Sequence, residues 1–252
     1  MHARRLPASH GIVWLVASFR LFRANPPLLS ALTMAYIFLA IMVNALPHVG
    51  PFIVPLALPA VIVVIANGCR AIERGRGVSM IALVHGLKTH RIALVRLGGL
   101  HLLGAIIILF ISTAVEGGQL SLAGPSPAIS DEDMAGFVTR LFVIAIPVIA
   151  AFWFAPLLTG WDGVAPLKSV FFSFVAFWRN WRAFVVYGLA AIAVAIVLPG
   201  LLQIVASAIS KSVHDALLVA LKLAIIFILA PTMMAGVYVS YRDVFHGSSA
   251  ID

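Results

Sequence analysis

Charge is scarce in this chain: 10% of its 252 residues are charged, against 62% that are hydrophobic, and the mean hydropathy is +1.09. Water-soluble domains carry nearer a quarter charged residues, so lipid must be the solvent for much of this surface. Cys69 is the one cysteine, which excludes an intrachain disulfide and a paired-thiol metal site. Acids number nine, none of them paired within an apolar run, which leaves two-carboxylate chemistry without a basis. His-Glu-x-x-His, a phosphate-binding glycine loop and Gly-x-Ser-x-Gly are all missing. A buried serine nucleophile would need a partner base, and none can be placed. The chain is therefore expected to have no enzymatic activity, no cofactor and no bound metal. Short alternating strands are lacking too, which argues against a membrane barrel.

What the chain does have is long oily segments. Six stretches, 28–46, 49–66, 92–115, 137–158, 183–205 and 216–241, are long enough to span a membrane. At about 1.5 Å rise per residue, each crosses a hydrocarbon core of roughly 30 Å. Backbone groups in lipid must pair within their own segment, so these are predicted to be helices. No connecting loop is large enough for a soluble domain. The N-terminal run 12–22, broken by Arg20, lacks a cleavage site after a continuous apolar core and is read as retained and interfacial.

Orientation follows from the cations. Arg4, Arg5, Arg20, Arg23, Arg70, Arg74, Arg76, Lys88, Arg91, Arg96, Lys168, Arg179, Arg182 and Arg242 fall on the N-terminal side, 14 of the 17. Arg140, Lys211 and Lys222 fall on the other. This split predicts that both termini are cytoplasmic. It also explains the net charge of +8 better than nucleic-acid binding does, because the charges flank apolar runs and form no single patch. The outer loop 116–134, with its turn formers and the acids Asp131, Glu132 and Asp133, reads as coil.

A repeat organises the spans. Ser-Phe-x-x-Phe-x-x-Asn occurs at Ser18, Phe19, Phe22, Asn25 and at Ser173, Phe174, Phe177, Asn180, with a degenerate copy at Val84, Leu87, His90. A small residue follows eight positions on in each copy: Thr33, Gly98 and Gly188. The predicted architecture is all-α and polytopic, with six spans as three hairpins, each preceded by an amphipathic interfacial helix. One integral membrane domain, 1–252, contains repeat-like units near 10–70, 77–160 and 165–242. In the third unit Ser169, Ser173, Ala176 and Asn180 form a small, polar stripe opposite a broad aromatic face. Basic and aromatic residues beside a span suit the headgroup interface. Arg20, Arg23, Lys88, Arg91, Trp178, Arg179, Trp181 and Arg182 are the candidate contacts to anionic lipid, through plain anchoring or as a collar that also receives a protein partner.

The returning spans each carry a proline near mid-depth: Pro59, Pro156 and Pro231. Proline frees a carbonyl one turn back, which must be filled or must line a wet cavity. Equivalent breaks in repeated units can mark a transport site, and they also occur for packing alone. Arg140 and Lys222 could attract an anion from outside or simply snorkel. His101 has no second titratable group at its depth and reads as a neutral, hydrogen-bonded packing residue. These six residues are the candidate intramembrane site.

Four segments carry a resemblance: 14–26 (WLVASFRLFRANP), 66–75 (ANGCRAIERG), 153–158 (WFAPLL) and 171–184 (FFSFVAFWRNWRAF). On these the chain resembles a bacterial family of six-span inner-membrane proteins over nearly its whole length. The resemblance implies topology and localisation and no catalytic role. More loosely, the three-hairpin pattern is similar to the membrane domain attached to some glycerophosphodiester phosphodiesterases, which implies lipid association only. The leading expectation is a non-enzymatic inner-membrane protein acting through lipid or protein contacts, including self-association. The alternative is a small-molecule or lipid transporter working at the proline-broken spans.

Overall fold

The computed structural model describes residues 3–46, 49–75, 77–115 and 131–247, and the regular structure among them is all helical. In chain order the helices are α1 (His10–Ala24), α2 (Pro26–Asn44), α3 (Gly50–Glu73), α4 (Met80–Leu83), α5 (Arg91–Val115) and α6 (Asp131–Phe152). They continue with α7 (Ala155–Gly160), α8 (Pro166–Arg179), α9 (Trp181–Ile192), α10 (Leu198–Ile209), α11 (Lys211–Ala224) and α12 (Ala230–Phe245). Two π-helical turns, Ala193–Val197 and Ile225–Leu229, join α9 to α10 and α11 to α12. Six helical stretches are long and apolar enough to cross a membrane: Pro26–Asn44, Gly50–Glu73, Arg91–Val115, Thr139–Gly160, Trp181–Ile209 and Lys211–Phe245. The protein is an all-α, polytopic membrane protein with six membrane-spanning helices.

Local chemistry sets the helix ends. The Asn25 side chain accepts from the Leu28 N–H at 3.2 Å and caps α2, whose first turn opens with Pro26 and Pro27. Ser210 caps α11 by accepting from the Val213 N–H at 3.2 Å. Because that one extended residue makes the whole turn, spans five and six run longer than the predicted 183–205 and 216–241. Helix α6 begins at Asp131, so the predicted coil 116–134 ends earlier than expected; 116–130 lie outside the described residues.

The pre-hairpin segments differ. The first and third are full helices, α1 and α8, whereas the second is a single turn, α4, followed by turns to His90. Gly86 takes φ +83 there, and an added Cβ would stand 2.2 Å from the Gly160 carbonyl oxygen, so the backbone lies directly on α7. In the two full copies the repeat has one physical meaning. Ser18 and Ser173 are fully buried, while Phe19 and Phe174 are exposed to nearly the same extent, 42% and 40%. The residues eight positions on do not match in this way: Thr33 and Gly98 are buried, but nothing lies within 4 Å of a Cβ built on Gly188.

The core lies toward the end that carries both termini. The Arg4 N–H donates to the Val244 carbonyl at 2.9 Å, and the Leu6 N–H donates to Asn180 Oδ1 at 2.8 Å. Asn180 Nδ2 donates back to the Arg4 carbonyl at 2.9 Å, so the start of the chain is fastened to α12 and to the α8–α9 junction. Helix α1 packs between α9 and α12. Phe184 is the hub of an aromatic cluster, with ring centroids 3.9 Å from Phe177, 5.0 Å from Trp14, 5.4 Å from Trp153 and 5.8 Å from Phe154. Helix α3 is central, with 39% of its span buried, while Trp181–Ile209 is peripheral at 6%. The outer part of the third hairpin, 193–229, is exposed nearly all round and largely apolar, as lipid-facing helices are.

Candidate functional site

The proline breaks come first, because the fate of their freed carbonyls decides whether they line a cavity. Pro59 has no N–H for the Pro55 carbonyl, and His101 Nδ1 of α5 lies 3.0 Å from that oxygen. A carbonyl can only accept, so Nδ1 carries the proton. The imidazole is held edge-on to Phe152, with centroids 4.9 Å apart. Pro231 likewise leaves the Phe227 carbonyl without its helical donor, and Ser30 Oγ of α2 donates to it at 2.9 Å. Near Pro156 the helix opens at Trp153–Phe154. There the Ser173 hydroxyl of α8 accepts from the Phe154 N–H and donates to the Ala150 carbonyl, both at 2.9 Å. Those two backbone groups would bond each other in an unbroken helix, so Ser173 is inserted into the ladder. At Pro59 and Pro231 a side chain from a neighbouring helix fills the freed carbonyl, and just before Pro156 Ser173 bridges the gap in the ladder.

The six candidate intramembrane residues do not converge. Pro59 and His101 meet through the Pro55 carbonyl, whereas Pro156 and Pro231 are buried in separate places. Arg140 is exposed on α6 and Lys222 is exposed on α11. Among the described residues no ion pair joins Lys222 to Asp215. The two π-helical turns sit in the antiparallel helices of the third hairpin, just before Pro199 and Pro231. A wider turn there relieves the clash between each proline ring and the carbonyl one turn back.

The collar residues are placed differently. Arg20, Arg23, Lys88, Arg91, Trp178, Arg179, Trp181 and Arg182 are all exposed. On α8 the stripe Ser169, Ser173, Ala176 and Asn180 faces inward, which turns Phe171, Phe174 and Trp178 outward. Phe174 and Trp178 stack at 6.4 Å, and the Arg182 guanidinium lies 5.5 Å from the Trp181 ring centroid. An outward aromatic face with a stacked arginine–tryptophan pair beside it matches the headgroup boundary.

A third constellation was not anticipated from the sequence. At the terminal end, Asn67 Nδ2 donates to the Leu83 and His85 carbonyls at 2.8 and 2.9 Å, and its Oδ1 accepts from Trp161 Nε1 at 2.9 Å. The Arg70 guanidinium rests over the Trp161 ring, 4.9 Å from its centroid. Glu73 accepts from the Tyr238 hydroxyl and pairs with Arg242, which also holds Asp243 at 2.9 Å. The Tyr241 hydroxyl donates to Asp162, and Trp153 Nε1 donates to Ser240 Oγ at 3.0 Å. These bonds tie the ends of α3, α7 and α12 together. One signal was available: Asn67, Arg70 and Arg74 are spaced three and four apart, which places them on one helix face. Their partners come from distant segments and could not have been inferred.

Beside this network is an open cleft of about 470 Å³, lined by Asn67, Arg70, Arg74, Ser79, Ala82 and His85 among others. Its cations come from the last turn of α3, where the helix dipole favours positive charge. The arrangement can hold an anion by charge and hydrogen bonding. Among the described residues no group of three His, Cys, Asp or Glu side chains is placed to hold a metal ion.

A protein of Burkholderia thailandensis named probable inner membrane protein is 30% identical to this chain over 257 aligned positions, covering 97% of the chain and 94% of the relative. No protein-family model matches the chain, and no solved structure matches it.

Proposed function

The chain belongs to the family of that Burkholderia thailandensis protein, and from this membership we propose a non-enzymatic protein of the bacterial inner membrane that works through lipid or protein contacts at its terminal end. That end faces the cytoplasm in this reading, because 14 of the 17 cations flank the spans there. The observation that carries the proposal is the division of labour between inside and outside. The Pro55, Phe227 and Ala150 carbonyls and the Phe154 N–H at the helix breaks are taken up in internal hydrogen bonds, while Phe19, Arg20 and Arg23 of α1, Phe171, Phe174, Trp178 and Arg179 of α8, and Trp181 and Arg182 at the start of α9 are turned outward. Transport is the weaker reading for the same reason: carbonyls already filled by His101, Ser30 and Ser173 offer little to a passing solute.

Native mass spectrometry of the detergent-extracted protein tests this reading. Retained lipid or a retained protein partner is the expected result. A bare monomer that moves solutes when reconstituted in proteoliposomes would replace it with transport. Reporter fusions test the orientation: a periplasm-dependent reporter placed within 124–130 should be active, and the same reporter after Asp252 should be silent. The reverse pattern would overturn the assignment.

A further inference from the structure

The cleft at the end of α3 is built around one cation that the fold positions but does not neutralise. Asn67 fixes three of its components at once. It sits in α3, its amide nitrogen holds the 83–85 backbone, and its oxygen orients Trp161. Arg70 then lies on the Trp161 ring. Stacking a guanidinium on a ring leaves its N–H edge available for an acceptor. Nearby Arg242 is different, since Glu73 and Asp243 both pair with it. Asp162, next to Trp161 in sequence, accepts from Tyr241. Among the described residues neither Arg70 nor Arg74 makes an ion pair. Arg74 lies one helical turn beyond Arg70, and His85 and Ser79 add further donors at the rim. Directly beside the rim, Met80 and Ile81 are 75% and 82% exposed, an apolar pair at the mouth of a polar cleft.

We propose that this cleft binds the phosphate of a phosphoester, and that its source is an anionic phospholipid headgroup whose chains pass over Met80 and Ile81. Arg70 and Arg74 supply the charge-assisted hydrogen bonds, and the Trp161 platform fixes the direction of the Arg70 fork. The proposal deepens the contact reading above, and it names the end of α3, rather than the α8 collar, as the specific lipid site.

The test is a native mass spectrometry titration of the full chain in detergent with phosphatidylglycerol, phosphatidylcholine of the same chains, and sn-glycerol 3-phosphate. Phosphatidylglycerol should bind more tightly than phosphatidylcholine. Arg70→Gln should weaken it by roughly tenfold or more, the loss of one charged hydrogen-bond partner. Arg70→Lys should fall between, and the exposed Arg74→Gln gives a second readout with little risk to folding. Met80→Ser combined with Ile81→Ser should weaken the lipid and leave sn-glycerol 3-phosphate unchanged. If that double variant has no effect and sn-glycerol 3-phosphate binds as tightly as the lipid, the lipid source is overturned. If Arg70→Gln and Arg74→Gln leave phosphatidylglycerol in place while Arg179→Gln with Arg182→Gln releases it, the cleft is overturned and the contact reading stands. A wild-type chain that keeps neither lipid nor protein overturns both.

Discussion

If His101 supplies the bond that Pro59 removes, then restoring that N–H must make His101 expendable. The perturbation is a double-mutant cycle of His101→Phe and Pro59→Ala. Phenylalanine keeps the flat ring against Phe152 and deletes only the donor at 3.0 Å from the Pro55 carbonyl. In the Pro59 background that carbonyl loses its partner. A buried orphan acceptor costs about 1–3 kcal/mol, whereas side-chain hydrogen bonds between membrane helices average about 0.6 and reach about 1.7 kcal/mol. His101 is half-buried, which places the expected loss near the overlap, at about 1 kcal/mol. In the Pro59→Ala background the backbone N–H regained at that position can close the helical bond, so His101→Phe should cost close to nothing. The coupling energy is therefore about 1 kcal/mol, read from unfolding in mixed detergent micelles. The single effect of Pro59→Ala is no guide, because an interior proline costs about 3 kcal/mol and the same kink shapes the α3–α5 contact. Equal costs of His101→Phe in both backgrounds, within about 0.3 kcal/mol, would refute the reasoning.

Three further outcomes are expected. Ser173→Ala leaves the Phe154 N–H and the Ala150 carbonyl without their shared hydroxyl, and should lower stability by about 2 kcal/mol with a shift in Trp153 emission; an unchanged unfolding midpoint would mean that the helix closes its own gap. Arg242→Gln strands Glu73 and Asp243, whose side chains are only 21% and 7% exposed, and should cost about 2–3 kcal/mol, somewhat below the figure for a fully buried pair. Adding Glu73→Gln to that variant should return part of the loss, and a double variant no better than the single one would count against the pairing. Gly98→Val should disrupt the α3–α5 contact by more than about 2 kcal/mol, because even a Cβ would fall 2.1 Å from the Leu56 carbonyl oxygen. Gly188→Val, with open space around it, should be tolerated in the same thermal-shift assay.

The gain from the sequence was uneven, and particular residues show why. The third pre-hairpin segment read correctly as a helix with a small, polar face and an aromatic one, since the spacing of Ser169, Ser173, Ala176 and Asn180 puts all four on one side. The degenerate copy at Val84, Leu87 and His90 kept the spacing but not the helix. Its Leu83 and His85 carbonyls are taken by Asn67, and Gly86 must lie flat on Gly160. The candidate intramembrane residues were legible as unusual, yet Ser30 looks ordinary in sequence, and the repeat that marks Ser173 does not say which backbone groups it meets. The Asn67–Trp161–Arg70 stack is the clearest miss, because it brings together positions 94 residues apart.

Local pattern along the chain is enough to set the solvent and the number of crossings. Burial of apolar side chains in lipid and pairing of backbone groups within each helix are local demands, and each segment meets them without reference to the others. Which polar groups are spent inside and which remain available depends on how the helices pack. A carbonyl freed by proline is open or filled according to which helix lies beside it, and an arginine is neutralised or free according to which acid the fold brings near. Those are distances between segments far apart in the chain, so no local pattern contains them.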